Sequence, residues 1–381
     1  MKNFAKLLLI TLGRIIGSVI PVNFNDYTLF FFPTFHIGGA DIVHLRLYNA
    51  VRLPKKVCLF TNKSFNDALK SSFYSAGPCF DIHIFTMGII RYLAHGYLSL
   101  CINKSVNVRI FCGTSAYCYE LIQFLNPQII IYDLIHAIET EPARLGVPLT
   151  SRIAKRIVII DKVKRALTSR YADAAIPSSY ADRIEVISNY AEVPDKFTEK
   201  DFSRIKDILF VGRFAYIKRP DLFANIARQC ALEDKNMTFS MIGDYQLFMN
   251  EYPKDIFKPC RLYGEITERE RLIRIYGQNQ LLLVTSSDEG FPLVIMEAMA
   301  QGLIVISTAV GGICDHITNG VNGFLINSRK DEDIIKEFVQ TIERLKNDTV
   351  LLRAVSANAY FYAAEHFSQK TFEKKYNKVF S

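Results

Sequence analysis

Two glutamates with seven residues between them, Glu289 and Glu297, flank a Gly290-Phe291-Pro292 turn. An ionised carboxylate accepts several hydroxyl donors at once, so such a pair could grip a polyhydroxyl ligand. The amides of Gly290, Phe291 and Leu293, with the Pro292 carbonyl, lie where the chain turns into a helix, and a helix N-terminus favours phosphate. Upstream, Gly212-Arg213 follows an apolar run, and Lys218 comes soon after. Arginine offers a planar donor fork and lysine a point charge. Together they can offset a diphosphate without a metal. His136 lies just past another apolar run and can donate to an anionic oxygen whether neutral or protonated. Each group taken singly has a plainer reading: Glu297 as a solvated helix residue, Glu289 as a helix-dipole partner, the cations as a solvated loop, His136 as a loop cap.

Position comes from the elements around them. Leu281 to Val284 is a short apolar run bounded by polar residues, which suits a strand covered on both faces. Thr285 to Gly290 follows as a loop, and Pro292 suits the first helical position, where its missing N–H costs nothing. The helix runs through Leu293, Met296 and Glu297 to Gly302, which can take a left-handed cap before the strand Leu303 to Ser307. This is a βαβ unit, and ligands of open α/β sheets bind at the carboxyl ends of such strands. Further strands are expected at 29–32, 57–60, 82–85, 108–111, 129–132, 156–161 and 183–187, and then at 208–211, 239–242 and 324–326. They alternate with helical patterns such as Ala116 to Leu125, which argues for parallel sheets. A polar, proline-containing stretch, Tyr190 to Lys206, reads as a linker, and 381 residues suit two domains.

The Glu-x7-Glu spacing around Gly-Phe-Pro, with the Val310-Gly311-Gly312 loop downstream, resembles the family 4 (glycogen synthase-like) retaining glycosyltransferases. The match is strongest from Ile208 to Ile326. It implies an α/β chain of GT-B fold, two Rossmann-like domains facing across a cleft. The expected divisions are an amphipathic helix in 1–22, an acceptor domain in 23–190, a nucleotide-sugar donor domain in 206–366, and a C-terminal helix in 367–381 packing back on the first domain. By the same resemblance Glu289 binds donor-sugar hydroxyls, Glu297 the ribose diol, and the amides from Gly290 to Leu293 face sugar and phosphate. Arg213 and Lys218, beside Gly212, meet the diphosphate, and His136 meets the donor sugar and its phosphate. Gly38-Gly39 is similar to the family's glycine loop, although glutamate is frequent where this chain has Asp41. Tyr263-Gly264-Glu265-Ile266 resembles the segment that holds the base, through Gly264 and Ile266. Tyr245 stands where the family often has glycine, and Gln278-Asn279-Gln280 replaces a small-acidic pair. The implied reaction is retaining, hexosyl-transferring and metal-independent. It needs no cofactor besides the nucleotide-diphosphate sugar substrate, and proceeds by same-face substitution in which the departing phosphate helps to deprotonate the acceptor.

A formal charge of +8 without a long basic run suits anionic ligands or an anionic membrane surface and gives no sign of nucleic acid as a partner. Eight cysteines without a Cys-x-x-Cys framework are expected to be reduced core residues of a cytoplasmic protein. Residues 1–22 lack a signal-peptide cleavage site, and Arg14 interrupts an apolar segment too short to span a bilayer. On a helix, Phe4, Leu8, Leu12, Ile15 and Val19 line one face, with Lys2, Lys6, Gly13 and Gly17 opposite and Ile10 the exception among them. That pattern suits an interfacial helix or an amphipathic helix docked on its own domain. Asp331-Glu332-Asp333 reads as dipole-favouring acid in a first helical turn rather than a metal site. The expected protein is thus a cytoplasmic enzyme, peripheral on the inner face of the cell membrane. It would act on a glycan or lipid-linked acceptor in bacterial surface polysaccharide assembly. Its rivals are a sugar-nucleotide epimerase of the same broad fold and a catalytically silent nucleotide-sugar binding protein at the membrane.

Overall fold

The computed structural model describes residues 2–36, 38–138, 140–245, 252–253 and 255–381, with the side chains of Lys2, Asn3 and Pro142 left aside. The chain forms two units, residues 1–187 with 373–381, and residues 188–372. The first is built on a sheet of β1 (Thr28–Phe32), β2 (Lys56–Phe60), β3 (Cys79–Asp81), β4 (Arg109–Gly113), β5 (Ile130–Ile135), β6 (Lys155–Val158) and β7 (Ile184–Val186). The second uses β8 (Asp207–Val211), β9 (Thr238–Ile242), β10 (Cys260–Leu262), β11 (Leu281–Val284), β12 (Ile304–Thr308) and β13 (Phe324–Ile326). The orders are β3-β2-β1-β4-β5-β6-β7 and β10-β9-β8-β11-β12-β13, and the named strands pair in parallel. In each sheet the order reverses once, between β1 and β4 and between β8 and β11. Ligands of open parallel sheets bind beyond the carboxyl ends of strands at such a reversal.

Central strands such as β1, β11 and β12 are buried along their whole length, which is why they read as continuous apolar runs. Three expectations fail. Ile82 to Phe85 is not a strand: β3 ends at Asp81, whose carboxylate accepts from the His83 N–H at 3.1 Å and starts the short helix His83–Thr86. Residues 190–206 do not stand apart as a linker, since Phe202 and Ile205 are buried in the second core. The cysteines are not all reduced: Cys112 at the end of β4 is bonded to Cys118 in helix Ala116–Ile122, six residues on. That bond removes cysteine usage as an argument for a reducing compartment.

The N-terminal helix Lys2–Val19 lies on helix Arg91–Lys104 with its glycine face inward. A Cβ at Gly13 would sit 2.0 Å from the Leu93 carbonyl oxygen, so only glycine permits this approach. The line from Phe4 to Val19 faces outward. At the other end of the chain, helix Gln369–Phe380 places Phe380 within 4.9 Å of the Tyr132 ring and 5.8 Å of Phe30 and Phe111, inside the first unit. Asn377 fixes it there, accepting from the Arg52 N–H at 2.8 Å and donating to the Ala50 carbonyl at 3.0 Å.

The first unit also buries an ion pair. Arg156 donates from Nη2 to Asp133 at 2.7 Å and to the Gly146 carbonyl at 2.8 Å, while Tyr119 donates to the same carboxylate at 3.0 Å. Both charged side chains are almost wholly shielded from solvent. Deleting one partner would leave the other's charge uncompensated, so Asp133→Ala should cost about 3–5 kcal/mol. Urea unfolding of the variant measures this, and a midpoint equal to wild type would contradict it.

Candidate functional site

In the second unit the loops leaving β8 and β11 are knitted together. Thr285 donates to the carbonyls of Lys218 at 3.0 Å and Arg219 at 2.9 Å, and the Ser287 N–H donates to the Ile217 carbonyl at 2.9 Å. Across this seam the Lys218 ammonium pairs directly with the Glu289 carboxylate, which also accepts from Ser286 at 2.7 Å. The two side chains expected on different parts of one ligand therefore neutralise each other here. Gly311 backs the acidic loop with φ +56°, and a Cβ there would meet the Glu289 carbonyl oxygen at 1.6 Å. The Gly312 N–H donates to the Gly290 carbonyl at 2.8 Å. Gly212 and Arg213 leave the end of β8, with Arg213 exposed. Arg219 turns away to pair with Asp331, in the acidic first turn of helix Asp331–Lys346.

Phe291 and Pro292 are buried, and Pro292 caps helix Leu293–Ala300 from outside instead of opening it. Glu297, one turn into this helix, is only 8 % exposed. Arg269 meets its Oε1 at 2.5 Å and Tyr276 donates to its Oε2 at 3.1 Å. Arg269 also reaches Glu192 at 3.2 Å. Burial opposes the charge on Arg269, but the two carboxylates outweigh it and raise its pKa. Each Glu297 oxygen retains a further lone pair, so accepting from a diol remains open to it. Arg269 and Tyr276 were not singled out from sequence: Arg269 lies within an ordinary charged helix start, and Tyr276 reads as core.

Beyond the ends of β9 and β10, Asp244, Tyr245, Gly264 and Glu265 line a cavity of about 260 Å³. The Gly264 carbonyl accepts from the Gly243 N–H at 3.0 Å, and Ile266 follows half-buried. Tyr245, the departure from the family's glycine, is thus a wall of this cavity.

In the first unit, the Nε2 atoms of His136 and His44 are 3.3 Å apart, so one ring donates and the other accepts. His44 is buried on helix Gly39–Ala50 and stacks on Phe32 at 4.5 Å, next to Thr114 at 3.5 Å. The sequence offered no role for His44; a buried polar residue on an otherwise apolar helix face was its one signal. Burial, and then the His136 ring, holds His44 well below its ordinary pKa, and burial takes His136 down to about 4. Gly38 is extended and Gly39 opens the helix, while Asp41 accepts from Thr34 at 2.6 Å and lies 3.6 Å from His36. Asp41 therefore holds the glycine loop to the end of β1.

The second unit has relatives among known proteins. Residues 205–348 match the family model described as Glycosyl transferases group 1. Most of the second unit is therefore similar to group 1 glycosyl transferases. An uncharacterized glycosyltransferase of Methanocaldococcus jannaschii is 28% identical over 177 residues, 46% of this chain and 48% of that protein. A D-inositol 3-phosphate glycosyltransferase of Rhodococcus jostii is 27% identical over 171 residues, 42% of this chain and 37% of its own length. The chain thus spans about half the length, or less, of these curated relatives. HepE of Anabaena, solved in complex with UDP-glucose, superposes with a TM-score of 0.70 at 17% identity, covering 93% of this chain and 99% of HepE. The two units have the GT-B fold.

The buried histidines of the unit carrying His136 set its acid response. Burial also takes His95, stacked on Tyr117 at 4.4 Å, down to about 4. An unfolded histidine binds its proton near 6.5, so between about 6.5 and 4 the unfolded chain holds more protons and stability falls as pH falls. Urea midpoints measured from pH 7 to pH 4.5 should decline, and His95→Phe should flatten the slope by one proton. An unchanged slope in that variant would refute the buried neutral state of His95.

Proposed function

We propose that this chain is a retaining, metal-independent hexosyltransferase moving sugar from a nucleotide-diphosphate donor to a glycan or lipid-linked acceptor. The observation that carries this reading is the grouping, within the matched domain, of the Lys218–Glu289 pair, the Arg269–Glu297–Tyr276 cluster and the cavity beside Gly264. In this reading the base enters that cavity, Glu297 accepts from the ribose diol, and the diphosphate approaches Arg213, Lys218 and the turn from Gly290 to Leu293. Phosphate competes with Glu289 for Lys218, and the released carboxylate becomes free to accept from sugar hydroxyls. Negative charge grows on the diphosphate as the glycosidic bond breaks, so its contacts with Arg213 and Lys218 strengthen towards the transition state. The departing phosphate takes the acceptor proton on the same face. His136 and the Gly38-Gly39 loop are the first unit's contribution. HepE's complex with UDP-glucose makes that compound the first donor to try. The net charge of +8 and the outward apolar line of the N-terminal helix support a lipid-linked acceptor at the inner face of the membrane, in bacterial surface polysaccharide assembly.

A thermal-shift screen of nucleotide sugars identifies the donor, because a ligand that binds only the folded state raises its apparent stability. Product analysis then separates transfer from epimerisation and from silent binding. With that donor and an accepted acceptor, Arg213→Ala and Lys218→Ala should each lower turnover by roughly two orders of magnitude, with a smaller effect on donor affinity. Wild-type activity should survive EDTA. Full turnover in both variants, or activity lost to chelator and restored by a divalent ion, would overturn the proposed mechanism. Glu297→Gln keeps the side-chain shape but weakens acceptance from the diol, so nucleoside diphosphate affinity should fall. Equal affinity would remove Glu297 from ribose binding.

A further inference from the structure

The N-terminal helix does not face outward alone. Its glycine stripe is turned to helix Arg91–Lys104, where a Cβ at Gly96 would lie 2.0 Å from the Ile10 carbonyl oxygen. This docking forces the opposite stripe into solvent, leaving Phe4 and Val19 each 74 % exposed. A second segment, distant in sequence, does the same: Phe80, Ile84, Phe85 and Ile89 are each more than half exposed. Between the two segments runs a groove of about 350 Å³ whose walls include Ile16, Ile82, Phe85, Ile90 and Leu93. The groove makes them one surface. A soluble monomer rarely exposes a contiguous apolar area larger than a few hundred Å².

Charge selects the occupant. Residues 2–22 and 82–104 contain Lys2, Lys6, Arg14, Arg91 and Lys104 and no carboxylate, and the one acid within 80–90, Asp81, is held by the His83 ring at 2.7 Å. Arg14 is exposed, and Lys6 lies over the Tyr92 ring at 5.1 Å. Arg91 is drawn towards an acid, Glu120, at 3.1 Å. A second copy of this chain would bring like charges together, whereas an anionic leaflet offers both hydrocarbon and negative headgroups. Among the described residues no helix is long and apolar enough to cross a membrane. We propose that the N-terminal helix and the segment 80–90 form a single monolayer-docking face for anionic lipid, with lipid hydrocarbon filling the groove between them. The proposal rests on the membrane-side reading of the function and adds to it the second segment and the groove.

The chain contains no tryptophan, so single reporters carry no background. Phe4→Trp and Phe85→Trp, made separately in the full chain, are mixed with vesicles of phosphatidylcholine with or without phosphatidylglycerol, including acyl-chain-brominated lipid. Both reporters should shift to the blue and be quenched by brominated chains on the anionic vesicles, and less so on phosphatidylcholine alone or at high salt. Ile84→Asp with Ile89→Asp should lower flotation with anionic vesicles several-fold while leaving the nucleotide-sugar thermal shift unchanged. Quenching at position 4 without quenching at 85 overturns the shared face but leaves an interfacial helix. Quenching at neither position, with self-association in sedimentation, overturns both in favour of a second copy, and the donor screen still decides the transferase reading on its own.

Discussion

The Lys218–Glu289 ion pair is the constraint around which the second unit's crevice is arranged. It joins loops from β8 and β11, which have two strands between them in sequence but are adjacent in the sheet. The lysine is 23 % and the glutamate 10 % exposed, so either charge left alone would meet the cost of partial desolvation. Paired, they keep two groups of opposite sign ready at the same place. Thr285 secures the lysine's backbone from one side, and Gly311 yields space for the glutamate's backbone from the other. The arrangement is preorganised without being saturated, which suits a site whose charges must regroup when an anion arrives.

Much of the architecture was legible because both sheets are parallel and buried on two faces, so strands such as Leu281 to Val284 stand out as apolar runs. The failures have physical causes. Cys260-Arg261-Leu262 is a short edge strand with a half-buried pattern, and it left no run to detect. Ile82 to Phe85 is apolar because it contributes to an exposed surface, not because it lies in a sheet. The Cys112–Cys118 bond joins a strand end to the next helical turn, a juxtaposition made by the fold and absent from any local spacing rule.

The site was legible in its backbone frame and less so in its partners. Glycines, the Gly-Phe-Pro turn and the two acids are local signals, and Glu289 lies in the loop after β11 while Glu297 lies in the helix that follows. Arg269, Tyr276 and His44 gain meaning only through what they touch, since each sits on a helix whose pattern explains it equally well as surface or core. The pairing of Lys218 with Glu289 joins residues that sequence reasoning had assigned to separate parts of a ligand.

The burial of Phe380 among Phe30, Phe111 and Tyr132 has a consequence for how the protein comes into being. Arg109 hydrogen-bonds to the carbonyl of a residue 271 positions later, so one wall of the first hydrophobic core is supplied by residues made only after the whole second unit. During synthesis the first sheet must wait with an aromatic gap while the whole second unit emerges. Such long-range closure is slow relative to local contacts, because the intervening chain must first be brought back. The second unit, continuous from 188 to 372, has no such dependence. The nascent chain thus has an inverted order of completion, in which the later half can close its core before the earlier one.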